Sequence, residues 1–323
     1  MDEKPKIICK ICEDRFTDYK GLHRHLRAHN CLVVDYYHAY YPRKDLLTGD
    51  LIKFKNRKQY LYSHFNTRHS MKKWTQVTPK KDVRNYCESY LKRRAKKKKL
   101  KFAPCEVEAR SLMCPPITYL NSTFDDNYYG YCSTELGLEN KYTKWPGKIS
   151  LPFDAPIDAI KKMRYKIYID SREQKPFKLS FPTEVKALKY GDYALDDDRL
   201  SGNTYIERKS ITDFIGTLSG GYDRFVKEIE RSEKDKVRLV VLVEESINDC
   251  LSFKHLPYVS KKIKATPEFV FHNVRTLLQT YKNLDFLFVR GRKEATRVTE
   301  KLLLNGRVYS KIDLQLAYDI KKL

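Results

Sequence analysis

From residue 164 onward, apolar and polar positions alternate with two periods. Residues 165–170, 185–195 and 204–210 carry the short alternation of strands, and the last two are joined by the polar turn 196–203. Residues 211–232 follow helical spacing, with a break at Gly220 and Gly221. Residues 237–243 contain the unbroken apolar run Leu239 to Val243, which predicts a buried central strand. A helix over 266–283 opens on Thr266 and Pro267, and a strand over 284–289 and a helix over 292–306 follow. Strands and helices in this order predict a mixed sheet flanked by helices, an α/β layer fold.

Before residue 164 the pattern is less regular. Residues 31–101 interleave aromatic and cationic side chains, a composition that suits both a small core and a groove for nucleic acid. Thr78 and Pro79 signal a helix start, and Val83, Cys87, Tyr90 and Leu91 recur as one apolar stripe. That helix runs into the nearly all-basic segment Lys92 to Lys101, a phosphate-contacting element or a nuclear import signal. Residues 102–145 suggest a small helical or mixed module, and Pro and Gly mark 146–163 as a linker.

Charge sharpens this picture. The chain of 323 residues carries a formal charge of +23, and residues 51–101 alone hold 18 Lys and Arg against two acids. Such clustering points to a polyanion, most simply DNA, with RNA also open. No apolar run approaches the roughly 20 residues of a membrane span, and the N-terminus lacks a signal-peptide core. An intracellular protein without membrane partners is expected, cytoplasmic in a prokaryote or phage and nuclear in a eukaryote.

Four residues at the front have metal-ligand spacing. Cys9, Cys12, His25 and His29 form C-x2-C-x12-H-x3-H, and Phe16 and Leu22 stand where a tiny core would be. Residues 7–29 resemble the standard ββα zinc finger, in which two thiolates and two imidazoles hold Zn²⁺. A segment so short needs the roughly 10–16 kcal/mol that metal binding supplies. If the finger docks as its relatives do, Asp18, Lys20, Gly21 and Arg24 occupy the base-reading positions, and one finger spans about 3 bp. His23 falls outside the ligand set and reads as a surface or phosphate-contacting residue. Cys105, Cys114 and Cys132 are candidates for a second zinc site, against the simpler reading of reduced thiols.

The second cluster of chemistry sits on strands. Asp170 ends the first, Asp192 lies in the hairpin, and Glu207 and Lys209 share one face of the third, with Arg208 on the other. Two carboxylates from different strands and a lysine suit phosphodiester hydrolysis. The carboxylates hold Mg²⁺ or Mn²⁺, and the lysine offsets developing negative charge.

These residues also carry a family likeness. Gly191 and Asp192, then fourteen residues, then Glu207-Arg208-Lys209 and Asp213 resemble the G-D-xn-E-R-K-x3-D signature of the XPF and Hef family of structure-specific DNA endonucleases. Asp170-Ser171-Arg172-Glu173 is similar to that family's upstream D-x-R-E element. The resemblance covers residues 164–305 and implies a restriction-endonuclease-like core. It implies metal ligation by Asp192 and Glu207, catalysis by Lys209, and support from Asp170, Asp213 and Arg208. Arg172 and Glu173 take substrate or structural roles, and Asp213 is equally well read as a helix cap. Only a tail, 306–323, follows, too short for the helix-hairpin-helix module usual in relatives. Fork or flap preference and the homodimer are therefore open, and a monomer is equally compatible.

The expected organisation is a zinc finger over 1–30, a basic aromatic-rich DNA-binding module over 31–145, a linker over 146–163, and a nuclease domain over 164–305. The expected activity is Mg²⁺-dependent DNA cleavage. Two alternatives stand beside it: a site-selecting nicking or homing-type endonuclease of a phage or mobile element, and a non-catalytic DNA-binding protein with a degenerate nuclease fold.

Overall fold

The computed structural model describes residues 7–151 and 165–323. By internal contacts the chain divides into two compact units, Met1–Val83 and Arg84–Leu323.

In the first unit, strands β1 (Ile7–Ile8) and β2 (Arg15–Phe16) pair antiparallel, and the helix Tyr19–His25 follows. Asp18 caps that helix, its carboxylate accepting the Gly21 N–H at 2.7 Å. This ββα element does not stand alone. Cys9, Leu22 and Leu26 share one buried cluster with Tyr36, Tyr37, Ile52 and Tyr60. Lys10 N–H donates to the Tyr36 hydroxyl at 2.9 Å. The expected boundary at residue 30 is therefore not a packing boundary, because so small an element gains most of its apolar burial from the following segment.

The second unit is built on a six-stranded sheet of order β4-β3-β5-β6-β7-β8. Its strands are β3 (Ile167–Asp170), β4 (Thr183–Lys186), β5 (Tyr193–Leu195), β6 (Thr204–Lys209), β7 (Arg238–Val243) and β8 (Leu284–Phe288). β5 runs antiparallel to β3 and β6, whereas β6, β7 and β8 are parallel. The expected strand over 185–195 is two pieces on opposite sides of β3, and the turn 196–203 holds a short helix, Asp198–Ser201. The Gly-Gly break does separate two helices, Ile211–Thr217 and Tyr222–Lys234.

Register sorts the sheet into two faces. Leu239, Val241, Val243, Phe286 and Phe288 pack with Phe214, Phe225, Ile229 and Phe271 from helices 211–217, 222–234 and 267–280. Ile206, Val240, Leu242 and Leu287 pack instead with Val298 and Leu302 of the helix Gly291–Leu304.

The segments outside 164–305 are parts of this core. Cys105, Val107 and Tyr142 join the first face. Tyr309, Ile312, Leu314, Ala317 and Leu323 join the second, so 306–323 is no free tail. Gln315 accepts the Phe288 N–H at 2.9 Å and donates to its carbonyl at 3.3 Å, occupying backbone groups of edge strand β8. Of the expected linker, Pro146 is buried and Ile149 and Leu151 lie against the core, while 152–164 fall outside the described residues. The helix Lys80–Lys98 buries Val83, Cys87 and Leu91 as its stripe predicts. No described helix is long and apolar enough to cross a membrane.

Candidate nuclease site and metal centre

Three acids form a cross-strand row. Ile169 pairs with Tyr193, and Tyr193 with Ile206, and all three pack on the second face. The next residue on each strand points the other way, which places Asp170, Asp192 and Glu207 on the first face. Glu207 and Lys209 pair with Val241 and Val243, both of that face. Arg208, between them, faces the opposite side.

Gly191 explains how Asp192 reaches its place. It has φ +56°, and a Cβ there would stand 2.8 Å from the Ile206 carbonyl oxygen. Asp192 N–H then donates to that carbonyl at 2.7 Å, and Arg208 N–H donates to Asp192 Oδ2 at 2.7 Å. Burial, followed by the like charge of Glu207, pushes the Asp192 carboxyl up to about 7. Lys209 Nζ lies within hydrogen-bond reach of Glu207 Oε1.

The other motif residues have positioning contacts. Asp170 is buried and accepts from Arg172 Nε at 2.7 Å and from Leu188 N–H at 2.7 Å. The Arg172 hydrogen bond is the main reason its carboxyl sits below the ordinary value. Glu173 forms a two-point pair with Arg208, at 2.7 and 3.1 Å. Burial opposes ionisation of Glu173, yet the Arg208 bonds, the Lys175 N–H and the charges of Arg208 and Arg292 together hold its carboxyl low. Asp213 sits in the first turn of the helix Ile211–Thr217, where Ser210 Oγ accepts its N–H at 3.2 Å and donates to its Oδ2 at 2.6 Å. That geometry is a helix cap, the structural half of the two readings of Asp213.

Three residues that no motif contains join the site. Glu228 lies on the helix Tyr222–Lys234, which covers the face of Glu207. Its carboxyl is raised by burial and then by Glu207. Its signal was available: an acid three residues after Phe225 and four before Ser232, on the buried stripe of its helix. Glu244 and Arg292 extend the Glu173–Arg208 pair. Arg208 Nη1 is 3.5 Å from Glu244, Glu244 is 2.9 Å from Arg292 Nη1, and Arg292 Nη2 donates to the Pro176 carbonyl at 2.9 Å. Only the fold joins these elements, so sequence spacing could not reveal them.

At the other end of the chain, Cys9, Cys12, His25 and His29 bring one donor atom each within 4.8 Å of one another. Cys12 Sγ lies 3.1 Å and His29 Nε2 3.0 Å from His25 Nε2, and Cys9 Sγ lies 3.9 Å from His29 Nε2. A tetrahedron with zinc-type bond lengths has edges of roughly 3.3–3.8 Å, so this donor set could hold such an ion. His23 instead bonds the Tyr37 hydroxyl at 3.1 Å, and burial lowers its pKa. Lys20 and Arg24 are exposed. Asp18 is committed to the cap. Among the described residues Cys105, Cys114 and Cys132 do not gather into a metal-holding group, and all three are buried.

The cross-strand acids fall inside a known domain. Residues 169–302 match the ERCC4 domain. This ERCC4 domain is a nuclease domain, with its mixed sheet flanked by helices. Two solved structures of XPF from Aeropyrum pernix are similar to the chain. The one in complex with DNA has 23% identity and a TM-score of 0.33, and covers 46% of this chain and 66% of that one. The other has 22% identity and a TM-score of 0.32, and covers 43% and 59%. The chain thus spans just under two thirds of the length of these structures. No curated protein matches it. The ERCC4 domain contains every residue of the cross-strand row, and helices on both sides of it in sequence complete its core.

Proposed function

We propose that the protein is a metal-dependent DNA endonuclease. The observation that carries this reading is the row of Asp192 and Glu207 with Lys209 on one face of an ERCC4 domain. Burial and the adjacent charge of Glu207 raise the Asp192 carboxyl, a strain a divalent cation between the two would relieve, so the donor set fits Mg²⁺ or Mn²⁺. Held by Asp192 and Glu207, such a cation supplies Lewis-acid polarisation of the phosphate and a more acidic water. Lys209 offsets charge on the non-bridging oxygens as the P–O bond breaks. The Arg208 N–H fixes the orientation of Asp192, and the helix Tyr222–Lys234, with Glu228, covers the same face.

At the N-terminus, Zn²⁺ on Cys9, Cys12, His25 and His29 would hold the finger. Its exposed Lys20 and Arg24, and the exposed cations Lys92, Lys96 and Lys99, would meet DNA phosphates or base edges.

Cleavage of labelled duplex, single-strand, fork and flap DNA, with Mg²⁺ or EDTA, tests the reading. Mg²⁺-dependent cutting is expected, and both Glu207→Gln and Lys209→Ala should abolish it. Binding by the parent with no cutting of any substrate would favour a non-catalytic DNA-binding protein.

A further inference from the structure

A basic segment that none of the motifs includes lies beside the candidate site. Ser252 to Thr266 joins the helix Ile247–Leu251 to the helix Pro267–Thr280, and it contains four lysines and no acid. Its apolar side chains are anchored: Phe253 and Val259 are buried in the core of the first face, and Ile263 and Ala265 pack against it. Lys254 Nζ closes the segment on the Ile263 carbonyl. Lys261, Lys262 and Lys264 stand exposed on this fixed backbone. Tyr258 is 60% exposed, and its hydroxyl is held by Glu245 Oε2 at 2.6 Å. An aromatic ring open to solvent yet tethered at its tip is a stacking platform with little freedom left to lose.

Between this segment and the helix Ile211–Thr217 runs a cleft of about 370 Å³, lined by Thr212, Gly216 and Ser219 on one side and Ile263, Lys264 and Ala265 on the other. A Cβ at Gly216 would meet nothing within 4 Å, so the wall it forms is open to close approach by a backbone. The cleft's position follows from topology. The helix Ile211–Thr217 starts two residues after Lys209, and the segment follows β7, parallel to β6, so both lie at the strand end that carries Lys209. Ile215, Phe253 and Val259 share the core of the face on which Glu207 and Lys209 lie.

We propose that Tyr258 to Lys264 and this cleft form the track for the DNA strand next to the scissile phosphate. Lys261, Lys262 and Lys264 contact its phosphates, and the Tyr258 ring stacks on a base. The lysines match a polyanion, the small wall residues admit a sugar-phosphate backbone, and the exposed ring supplies a sequence-tolerant contact. This inference rests on the endonuclease reading and assigns the strand's path within that site.

The test uses the full chain carrying Glu207→Gln, so that DNA stays intact, and measures binding of a fluorescent single strand and fork by anisotropy over a salt series. With Lys261, Lys262 and Lys264 all changed to Gln, the slope of log K against log salt should fall by about 2. Tyr258→Ala should weaken binding about tenfold, whereas Tyr258→Phe, which keeps the ring but loses the tether to Glu245, should lose only a small part of that. In chains with Glu207 intact, the triple variant should raise KM and leave kcat nearly unchanged, and its circular dichroism should match the parent because all three lysines are exposed. An unaltered salt slope together with unaltered Tyr258→Ala affinity would overturn the track while leaving the endonuclease reading in place. A parent that neither binds nor cuts DNA would overturn both.

Discussion

At the scale of single residues, the site is defined by one glycine and one uncomfortable acid. Gly191 lets the backbone pass close to Ile206, so that Asp192 lands opposite Glu207. The consequence is a carboxyl raised to about 7 by burial and by its neighbour. Because its folded pKa lies above the unfolded value near 3.8, the metal-free chain gains stability from a protonated Asp192 at acidic pH. That contribution is lost as pH rises through about 7. Asp192→Asn should therefore flatten the thermal stability profile of the metal-free protein between pH 4 and about 7, and at pH 8 raise Tm by about 2–4 °C. Melting curves in EDTA across this range check it, and a profile identical to the parent's would refute the proton coupling.

At the scale of elements, the site depends on ion pairs that lock strands and loops together. Glu173 follows β3, Arg208 sits on β6, Glu244 ends β7 and Arg292 opens the helix Gly291–Leu304, yet they form one chain of alternating charge. The Glu173 and Arg208 side chains are 4% and 13% exposed, so removing Glu173 leaves Arg208 in a poorly solvated place with only the 3.5 Å contact to Glu244. Glu173→Ala should cost about 1.5–3 kcal/mol of stability, measured by urea unfolding, because Glu244 still faces Arg208. Arg292→Ala, whose side chain is more exposed, should cost less. Sequence reading identified Arg208 and Glu173 as motif members. It could not pair them, because their contact spans 35 positions and two strands.

At the scale of the whole molecule, the two units carry two distinct sets of candidate ligands. In the first, Cys9 is both a candidate metal ligand and a member of the cluster with Tyr36, Tyr37 and Tyr60. Removing zinc should therefore loosen residues up to at least Tyr60, well beyond the finger itself. Hydrogen exchange with a zinc chelator, or with Cys9→Ser, should show lost protection in the helix Val33–Tyr40. Unchanged protection there would mean that the following segment folds without the metal.

The residue types and their spacing, by themselves, determined the local elements and the candidate chemistry. The pattern of apolar positions specified β6, β7, β8 and the helices Ile211–Thr217, Tyr222–Lys234 and Pro267–Thr280. The Gly-Gly break was readable because backbone freedom is a property of single residues. The four Cys and His positions and the Asp192, Glu207 and Lys209 set were legible because helix and strand periods fix which side chains share a face. Tertiary structure alone decided the rest: that residues 306–323 complete the core, that side chains from Cys31 to Leu61 pack on the ββα element, and that β3 divides the expected strand 185–195 into two. It also brought Glu228, Glu244 and Arg292 to the site and set the basic segment 252–266 beside the helix Ile211–Thr217. These are long-range pairings, and a linear pattern records how much apolar surface a segment must bury without recording against what.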